Sequence, residues 1–453
     1  MTRRDANGIG EEDARVLIDQ HELMERICDP SNLNRAFRQV KRNKGSAGVD
    51  KLNIQETLAY LQQGNRAQLI RESLLAGTYR PQPILGVKIP KASGGERQLG
   101  IPTVVDRWIQ QAIGQVLTPI YEPQFSDNSF GFRPKRSAHD AIRQCSQYVS
   151  EGKVWVVDLD LEKYFDTVNH DRLMHRLSQD ITDKRVLRLI GDYLRAGLLQ
   201  EGIVSQRQQG TPQGGPLSPL LSNLVLDELD KELERRGHSF SRYADDCNIY
   251  VSSQEAGERV LASITEFLER KLKLKVNRAK SACDLVSRRQ FLGYRFSEEG
   301  SILLSPKIVE GLKRKVRTLT YRNRGCSLSR VIKELTVYLR GWLHYFKLAK
   351  ARRLMQGFDE WIRRRLRCYR LKQRKRRWPI AKWLMQMGVK ERTAWQLAMS
   401  SKGWWRLSLT PAINQALPIV WFKEQGLQSL LELYDQLNVK PEPPYATNAC
   451  TVV

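Results

Sequence analysis

The tetrapeptide Tyr243-Ala244-Asp245-Asp246 constrains this chain more than any other feature, because two adjacent acids stand between two β-prone arms. The stretch 240–251 therefore predicts a β-hairpin with Asp245 and Asp246 at its tip. Upstream, the apolar run 155–157 predicts a strand that leads into Asp158 and Asp160. Alternation along that strand places Asp158 and Asp160 on one face.

Three carboxylates from two separate strands suit a site for two divalent cations. Such a pair of cations activates an attacking 3′-hydroxyl group and stabilises a leaving pyrophosphate. We therefore predict that Asp160, Asp245 and Asp246 are catalytic metal ligands. Mg²⁺ is the expected ion because it prefers hard oxygen ligands, with Mn²⁺ as a substitute. A lone Asp-Asp pair is more often a solvated turn, and the upstream acids argue against that interpretation here.

The net charge of +26 indicates a polyanionic partner, most simply a nucleic acid. The excess is concentrated, since residues 301–380 contain 24 Lys and Arg against 4 acids. None of the seven cysteines forms a Cys-x-x-Cys pair, so we expect neither a zinc finger nor a disulfide framework. The sequence has no secretory signal at its start and no apolar run of about 20 residues, so we expect a cytosolic protein that does not enter a membrane.

Four further residues are candidates for nucleotide binding. Lys91 and Arg97 flank Gly94-Gly95 in a predicted hairpin of strands 84–89 and 97–101, where two cations suit a triphosphate. Gln213 lies in the glycine-rich loop 210–219 and is placed to reach the incoming nucleotide or the template base. Phe165 is placed to exclude a 2′-hydroxyl, although it and Tyr164 can equally pack in the core, which we expect for Tyr164.

Long amphipathic helices are predicted after residue 306, with apolar stripes that form a core. The arginines of the second helix lie mostly off its stripe, and we expect Arg363, Arg364 and Arg367, together with Lys280 upstream, to contact nucleic acid. Eight of the ten tryptophans lie from Trp342 onward, where they suit either base stacking or a helical core.

Seven motifs in a fixed order give the chain a specific resemblance. It resembles the bacterial group II intron-encoded proteins, which are reverse transcriptases with maturase activity, over roughly residues 20–435. The motifs are Ile89-Pro90-Lys91 through Gly94-Gly95 to Arg97, Leu99-Gly100-Ile101-Pro102-Thr103, Ser129-Phe130-Gly131-Phe132-Arg133-Pro134, Asp160 to Phe165-Asp166, Gly210-Thr211-Pro212-Gln213-Gly214-Gly215, Tyr243-Ala244-Asp245-Asp246 and Phe291-Leu292-Gly293-Tyr294. The stretch 339–346 resembles the maturase signature of that family.

The resemblance implies an α+β fold, in which right-hand polymerase fingers and palm precede an all-helical thumb or maturase domain and a small C-terminal helical domain. The expected bounds are 1–20 for a flexible N-terminus, 21–300 for fingers and palm, 301–385 for the basic helical domain, 386–440 for a DNA-binding helical domain and 441–453 for a flexible tail. The sequence lacks the paired-cysteine endonuclease of many relatives and so resembles the compact class C type. We therefore expect no second-strand cleavage of target DNA.

The resemblance further implies an RNA-directed DNA polymerase, a nucleotidyltransferase that also assists intron splicing and retrohoming. Its expected partners are a group II intron RNA, an RNA template with a DNA primer, target DNA and dNTPs, in the bacterial cytoplasm and at the nucleoid. Three alternatives stay open: a host-adopted reverse transcriptase in defence or repair, a splicing cofactor without polymerase activity, and an RNA-templated RNA polymerase. The intact acids disfavour the second alternative, and the bulk of Phe165 disfavours the third.

Overall fold

The computed structural model describes residues 22–90, 96–200, 203–205, 209–211 and 214–438. The described chain forms two compact units. The first comprises residues up to 141 together with 155–284, and the second comprises 142–154 together with the residues from 285 onward. This division does not decide the functional domain bounds given above, which stay predictions.

Two four-stranded sheets belong to the first unit. One has the strand order β2-β1-β4-β5 and the other has the order β6-β7-β3-β8. The strands are β1 (Ile84–Pro90), β2 (Glu96–Ile101), β3 (Trp155–Leu159), β4 (Leu198–Gln200), β5 (Ile203–Ser205), β6 (Ser239–Tyr243), β7 (Asp246–Val251) and β8 (Ala282–Leu285). The predicted hairpin of β1 and β2 is confirmed, since the two strands pair antiparallel from Leu85↔Ile101 to Pro90↔Glu96.

Except for Ala138–Ser150, most of which belongs to the second unit, the helices that precede residue 284 contribute to one continuous apolar core. They are α1 (Leu23–Ile27), α2 (Pro30–Asn43), α3 (Ile54–Gln62), α4 (Arg66–Leu75), α5 (Val104–Tyr121), α6 (Ala138–Ser150), α7 (Tyr164–Thr167), α8 (His170–Asp180), α9 (Lys184–Arg195), α10 (Ser218–Arg235) and α11 (Gln254–Phe267), with short 3-10 turns at Gln63–Asn65 and Glu122–Gln124 and a π turn at Leu268–Leu272. Several helices begin where the sequence supplies a cap. Asp29 caps α2 with Pro30 at its first position, and Thr103 caps α5 through the Asp106 amide.

The second unit is almost entirely helical beyond a short antiparallel pair, β9 (Tyr294–Phe296) and β10 (Ile302–Leu304). Its helices are α12 (Pro306–Leu319), α13 (Leu328–Phe346), α14 (Arg352–Arg374), α15 (Arg377–Gln386), α16 (Glu391–Met399), α17 (Trp404–Leu407), α18 (Pro411–Ala416), α19 (Ile419–Glu424) and α20 (Leu430–Asn438). Most residues of the predicted apolar stripes of α13 and α14 are buried, as expected for a helical core. The α+β class with a helical C-terminal region is therefore confirmed.

Glycine at 293 is required by local packing in this unit. Its backbone has φ +83, and a Cβ atom there would lie 3.0 Å from the Phe346 ring and 3.2 Å from Ile308. A side chain at this position would therefore combine a strained backbone with close contact to its neighbours. Among the described residues, no helix combines the length and the apolar character needed to cross a membrane.

Candidate active site

The acidic tetrapeptide forms the tip of a hairpin, as the sequence predicted. Strands β6 and β7 pair antiparallel, with Tyr243 opposite Asp246 and Arg242 opposite Cys247. Only Ala244 and Asp245 lie between the strands, and Ala244 adopts a left-handed backbone with φ +59. A non-glycine residue rarely adopts this conformation, so surrounding contacts must hold the turn in place.

Strand β3 brings Asp160 to the same end of the sheet. It pairs antiparallel with β7, and the last aligned pair is Leu159 with Cys247. The next residues in this register are Asp160 and Asp246, which therefore come side by side at the hairpin tip. The Asp160 main chain is fixed by two bonds: its N–H donates to Ser281 Oγ at 2.9 Å, and its C=O accepts from the Asn277 N–H at 2.8 Å.

The neighbouring acids change the pKa of Asp246. The pKa of Asp246 is raised to about 6, first by desolvation and then by the negative charges of Asp245, Asp158 and Asp160. The ammonium of Lys280 opposes this rise. Lys280 Nζ lies 3.2 Å from Asp160 Oδ2, so a cation already faces one of the three acids.

The carboxylates of Asp160, Asp245 and Asp246 are chemically suited to a divalent ion, but they are not arranged as a complete set of metal ligands. Carboxylate oxygens are the hard ligands that Mg²⁺ prefers, and the mutual repulsion around Asp246 is the kind that a bound cation relieves. In the described ranges, no group of three His, Cys, Asp or Glu side chains is set to hold a metal ion as it stands. The prediction of a two-ion site stays a prediction.

Beneath the hairpin lies a buried polar network that the sequence interpretation missed. Arg242 is fully buried and forms a two-bonded ion pair with Asp230 of α10, at 2.7 and 2.5 Å. It also donates to Asn223 Oδ1 at 3.1 Å, Ser129 Oγ at 2.7 Å and the carbonyl of Ala244 at 2.9 Å. The last bond attaches the strained turn directly to the protein interior. An arginine within a predicted strand was the available signal, but the sequence does not show which residues it pairs with.

The segment with the Ser129–Pro134 motif packs against the same turn. The N–H of Phe130 donates to the Arg242 carbonyl at 2.9 Å, and Asn223 Nδ2 donates to the Gly131 carbonyl at 2.9 Å. A Cβ atom on Gly131 would lie 2.2 Å from the Ala244 nitrogen, which no side chain tolerates. Glycine is therefore needed here for close approach to the hairpin tip.

Phe165 lies beside the glycine-rich loop. Its carbonyl accepts from the Thr211 N–H at 2.6 Å, and a Cβ on Gly210 would lie 2.8 Å from that same carbonyl oxygen. The ring is half-buried and meets Tyr164 edge-on at 5.3 Å between centroids. Tyr164 is buried, as predicted, and its hydroxyl donates to the Ser222 carbonyl at 2.9 Å.

Three predicted nucleotide-binding side chains fall outside what the structure describes. Lys91 and Gln213 lie outside the described residues, and for Arg97 only the main chain is described, in β2 opposite Ile89. Their predicted roles stay predictions.

The predicted basic contacts differ from one another in their surroundings. Arg367 is buried and donates through Nε and a terminal nitrogen to the Leu417 carbonyl, at 3.1 and 2.9 Å. We therefore do not retain Arg367 among the residues proposed to touch nucleic acid. Arg364 lies over the Trp405 ring at 3.8 Å, and Arg363 is half-buried on the same helix.

Two family models match parts of this chain. Residues 89–296, which contain the three acids, match the model for reverse transcriptase (RNA-dependent DNA polymerase). Residues 309–388 match the model for the group II intron maturase-specific domain. The first match defines a polymerase of the reverse transcriptase class, and the second extends the similarity into the basic helices.

Two similar proteins indicate to which family of reverse transcriptases the chain belongs. Protein YkfC of Escherichia coli K12 is 34% identical over 320 residues, which cover 62% of this chain and 84% of that protein. The group II intron-encoded protein LtrA of Lactococcus lactis is 38% identical over 208 residues, 46% of this chain and 34% of LtrA. The chain belongs to the family of group II intron-encoded reverse transcriptases with a maturase domain.

The chain thus spans most of YkfC but only about a third of the length of LtrA. Among solved structures, a partial Cas6-RT-Cas1–Cas2 complex is similar with a TM-score of 0.36 and 25% identity, over 55% of this chain and 43% of that one.

Proposed function

We propose that this chain is an RNA-directed DNA polymerase that extends a DNA primer on an RNA template, and that it also binds its group II intron RNA to assist splicing and mobility. The observation that carries the polymerase is the register of β3 with β7, whose last aligned pair, Leu159 with Cys247, brings Asp160 next to Asp246 within the segment similar to reverse transcriptases. Because its proposed substrates are intron RNA and target DNA, its place of action is the cytoplasm and the nucleoid.

In this proposal, Asp160, Asp245 and Asp246 hold two Mg²⁺ ions, and Mn²⁺ substitutes for them. Bound divalent ions lower the pKa of the attacking hydroxyl and neutralise charge on the leaving pyrophosphate. The protein supplies the rigid end of the sheet, which orients the carboxylates before substrate arrives. Lys280 offsets part of their charge and is placed to meet a phosphate of the primer or nucleotide.

The remaining nucleotide contacts are assigned by similarity to the family. Lys91 and Arg97 are proposed to bind the triphosphate, and Gln213 and Phe165 to contact the nucleotide. The observation that supports Phe165 is its attachment to the glycine-rich loop through the Thr211 amide.

The basic helices are proposed to bind the intron RNA and the template–primer duplex. Residues 301–380 hold 24 basic side chains against 4 acids, and the maturase-specific match covers most of this segment. The splicing chemistry belongs to the RNA, and the protein adds binding free energy to the active RNA fold. If many of these basic side chains contact phosphates, the affinity for RNA falls steeply as the salt concentration rises.

A primer-extension assay tests the polymerase. A DNA primer annealed to an RNA template is expected to be extended with dNTPs and Mg²⁺, and extension is expected to stop when the metal is removed with EDTA. Product length on a denaturing gel is the measurement. Absence of extension, in a preparation that still binds RNA tightly and releases it with salt, would contradict the proposal and favour the splicing cofactor.

Removing the Phe165 ring is expected to weaken the selection of deoxyribonucleotides. In Phe165→Ala, the preference for dNTPs over rNTPs, measured as the ratio of kcat/KM, is expected to fall about 10- to 100-fold because a steric barrier to the 2′-hydroxyl is lost. Phe165→Tyr keeps the ring and serves as the matched control, with selectivity close to that of the original chain. An unchanged ratio in Phe165→Ala would remove the steric role from this residue.

A further inference from the structure

A cavity of about 350 Å³ lies within the second unit, at the end of α12. Its walls are formed by residues of α12, by the residues that directly follow α12, by residues of α14 and by Trp405 of α17. Its volume is at the lower end of the ~300–1,000 Å³ that is typical of small-molecule sites, so it suits one nucleotide rather than a helix of RNA. Apart from Trp405, the lining residues fall within the maturase-specific match.

Three guanidinium groups converge on this cavity without an acid among its lining residues. They belong to Arg317, Arg322 and Arg365. Arg365 is fixed by bonds to Thr320 Oγ1 at 2.5 Å and to the Arg317 carbonyl at 3.3 Å. Its pKa is lowered, first by burial and then also by the positive charges of Arg317 and Arg322. Such mutual repulsion is relieved by an anion, and a phosphate matches the fork of a guanidinium.

Aromatic rings border the same cavity. Tyr321 is 58% exposed, although its ring is large and apolar. Trp361 lies beneath two of the arginines, with Arg365 at 5.4 Å and Arg317 at 5.9 Å from its ring centroid. Trp405 is held by Arg364, which lies 3.8 Å from the ring centroid and donates to the Trp405 carbonyl at 3.1 Å. Rigid rings beside phosphate-binding cations are the elements that bind an unstacked base.

We propose that this cavity binds a single unpaired nucleotide of a structured RNA, with its phosphate at Arg317, Arg322 and Arg365 and its base against Tyr321. A paired base does not suit the site, because its faces are covered by its neighbours in the helix, whereas bulges and loops present unstacked bases. RNA is assigned because the cavity lies largely in the maturase-specific segment. The inference rests on the proposed intron-RNA binding and names the feature of that RNA which is recognised.

The test compares two short RNA hairpins that differ by one bulged nucleotide, 2-aminopurine. The full chain is expected to bind the bulged hairpin about tenfold more tightly than the fully paired one, and to quench the 2-aminopurine fluorescence through stacking. In Tyr321→Leu both the preference and the quenching are expected to be lost. In Arg322→Gln the affinity for the bulged hairpin is expected to fall more than the affinity for the paired one.

Arg314→Gln is the matched control, since Arg314 is exposed on α12 and does not line the cavity. It removes one positive charge and is expected to weaken binding of both hairpins equally, so the preference is kept. Equal binding of the two hairpins by the original chain, or a preserved preference in Tyr321→Leu, would overturn the proposal. An equal preference for a bulged DNA hairpin would overturn the assignment to RNA.

Primer extension on an unstructured RNA template separates this inference from the polymerase. Tyr321→Leu changes an exposed, uncharged side chain of the second unit and is expected to extend that template as the original chain does. If the original chain does not prefer the bulged hairpin but still extends the unstructured template, the proposal for the cavity is rejected and the polymerase is retained. Failed extension by the original chain would reject the polymerase, whatever the result with the hairpins.

Discussion

Replacing Asp245 with asparagine is expected to lower the rate of RNA-templated primer extension by about a thousandfold or more. The substitution keeps the size of the side chain but removes a charge that is proposed to hold the catalytic cations. A loss of several kcal/mol of transition-state stabilisation corresponds to a factor of this size. The measurement is the single-turnover extension rate at saturating dNTP and Mg²⁺, and Asp160→Asn and Asp246→Asn are expected to behave alike.

Stability provides the control that separates catalysis from folding. Asp245 raises the pKa of Asp246, so its charge is unfavourable to the folded chain when no cation is bound. Asp245→Asn is therefore expected to melt at the same temperature as the original chain or slightly above it. Glu298→Gln neutralises an exposed acid elsewhere and is expected to leave the extension rate unchanged. A near-normal rate in Asp245→Asn would remove this residue from the catalytic set.

The local elements of the site were predictable because neighbouring residues determine them. The β-prone arms on either side of Asp245 define the hairpin, and the apolar run before Asp160 defines the strand. The register of β3 with β7 required the structure, since the partners are far apart along the chain. The sequence placed Asp158 and Asp160 on one strand face, and the structure adds that both charges act on Asp246.

The long-range contacts of arginine side chains were beyond sequence reasoning. Helical spacing treats Arg364, Arg365 and Arg367 alike as cations off an apolar stripe. In the structure, Arg367 turns inward to the Leu417 carbonyl, Arg365 borders a cavity and Arg364 stacks on Trp405. These differences depend on where α12, α17 and Leu417 lie against α14, and no local pattern encodes that placement. The fold class was predictable, but the partner of each cation was not.

Arg242→Met is expected to destabilise the first unit by about 3–5 kcal/mol, because it leaves Asp230 as an uncompensated charge in the core. It also removes the donor to the Ala244 carbonyl, on which the left-handed turn before Asp245 depends. Chemical denaturation gives the free energy of unfolding. Arg235→Met is the matched control, since Arg235 forms an exposed ion pair with Glu232 and its loss is expected to leave the free energy of unfolding almost unchanged.

The double variant Arg242→Met/Asp230→Leu separates the two roles of Arg242. With both charges removed, the core no longer holds an unpaired ion, so much of the lost stability is expected to return. The Ala244 carbonyl still lacks its donor, and a displaced catalytic turn is expected to keep primer extension about 10- to 100-fold below the original rate. A double variant that regains both stability and full rate would show that the ion pair only stabilises the fold. Recovery of stability without recovery of rate would instead mean that Arg242 positions the acids, so the buried network would act on catalysis through the geometry of the hairpin tip.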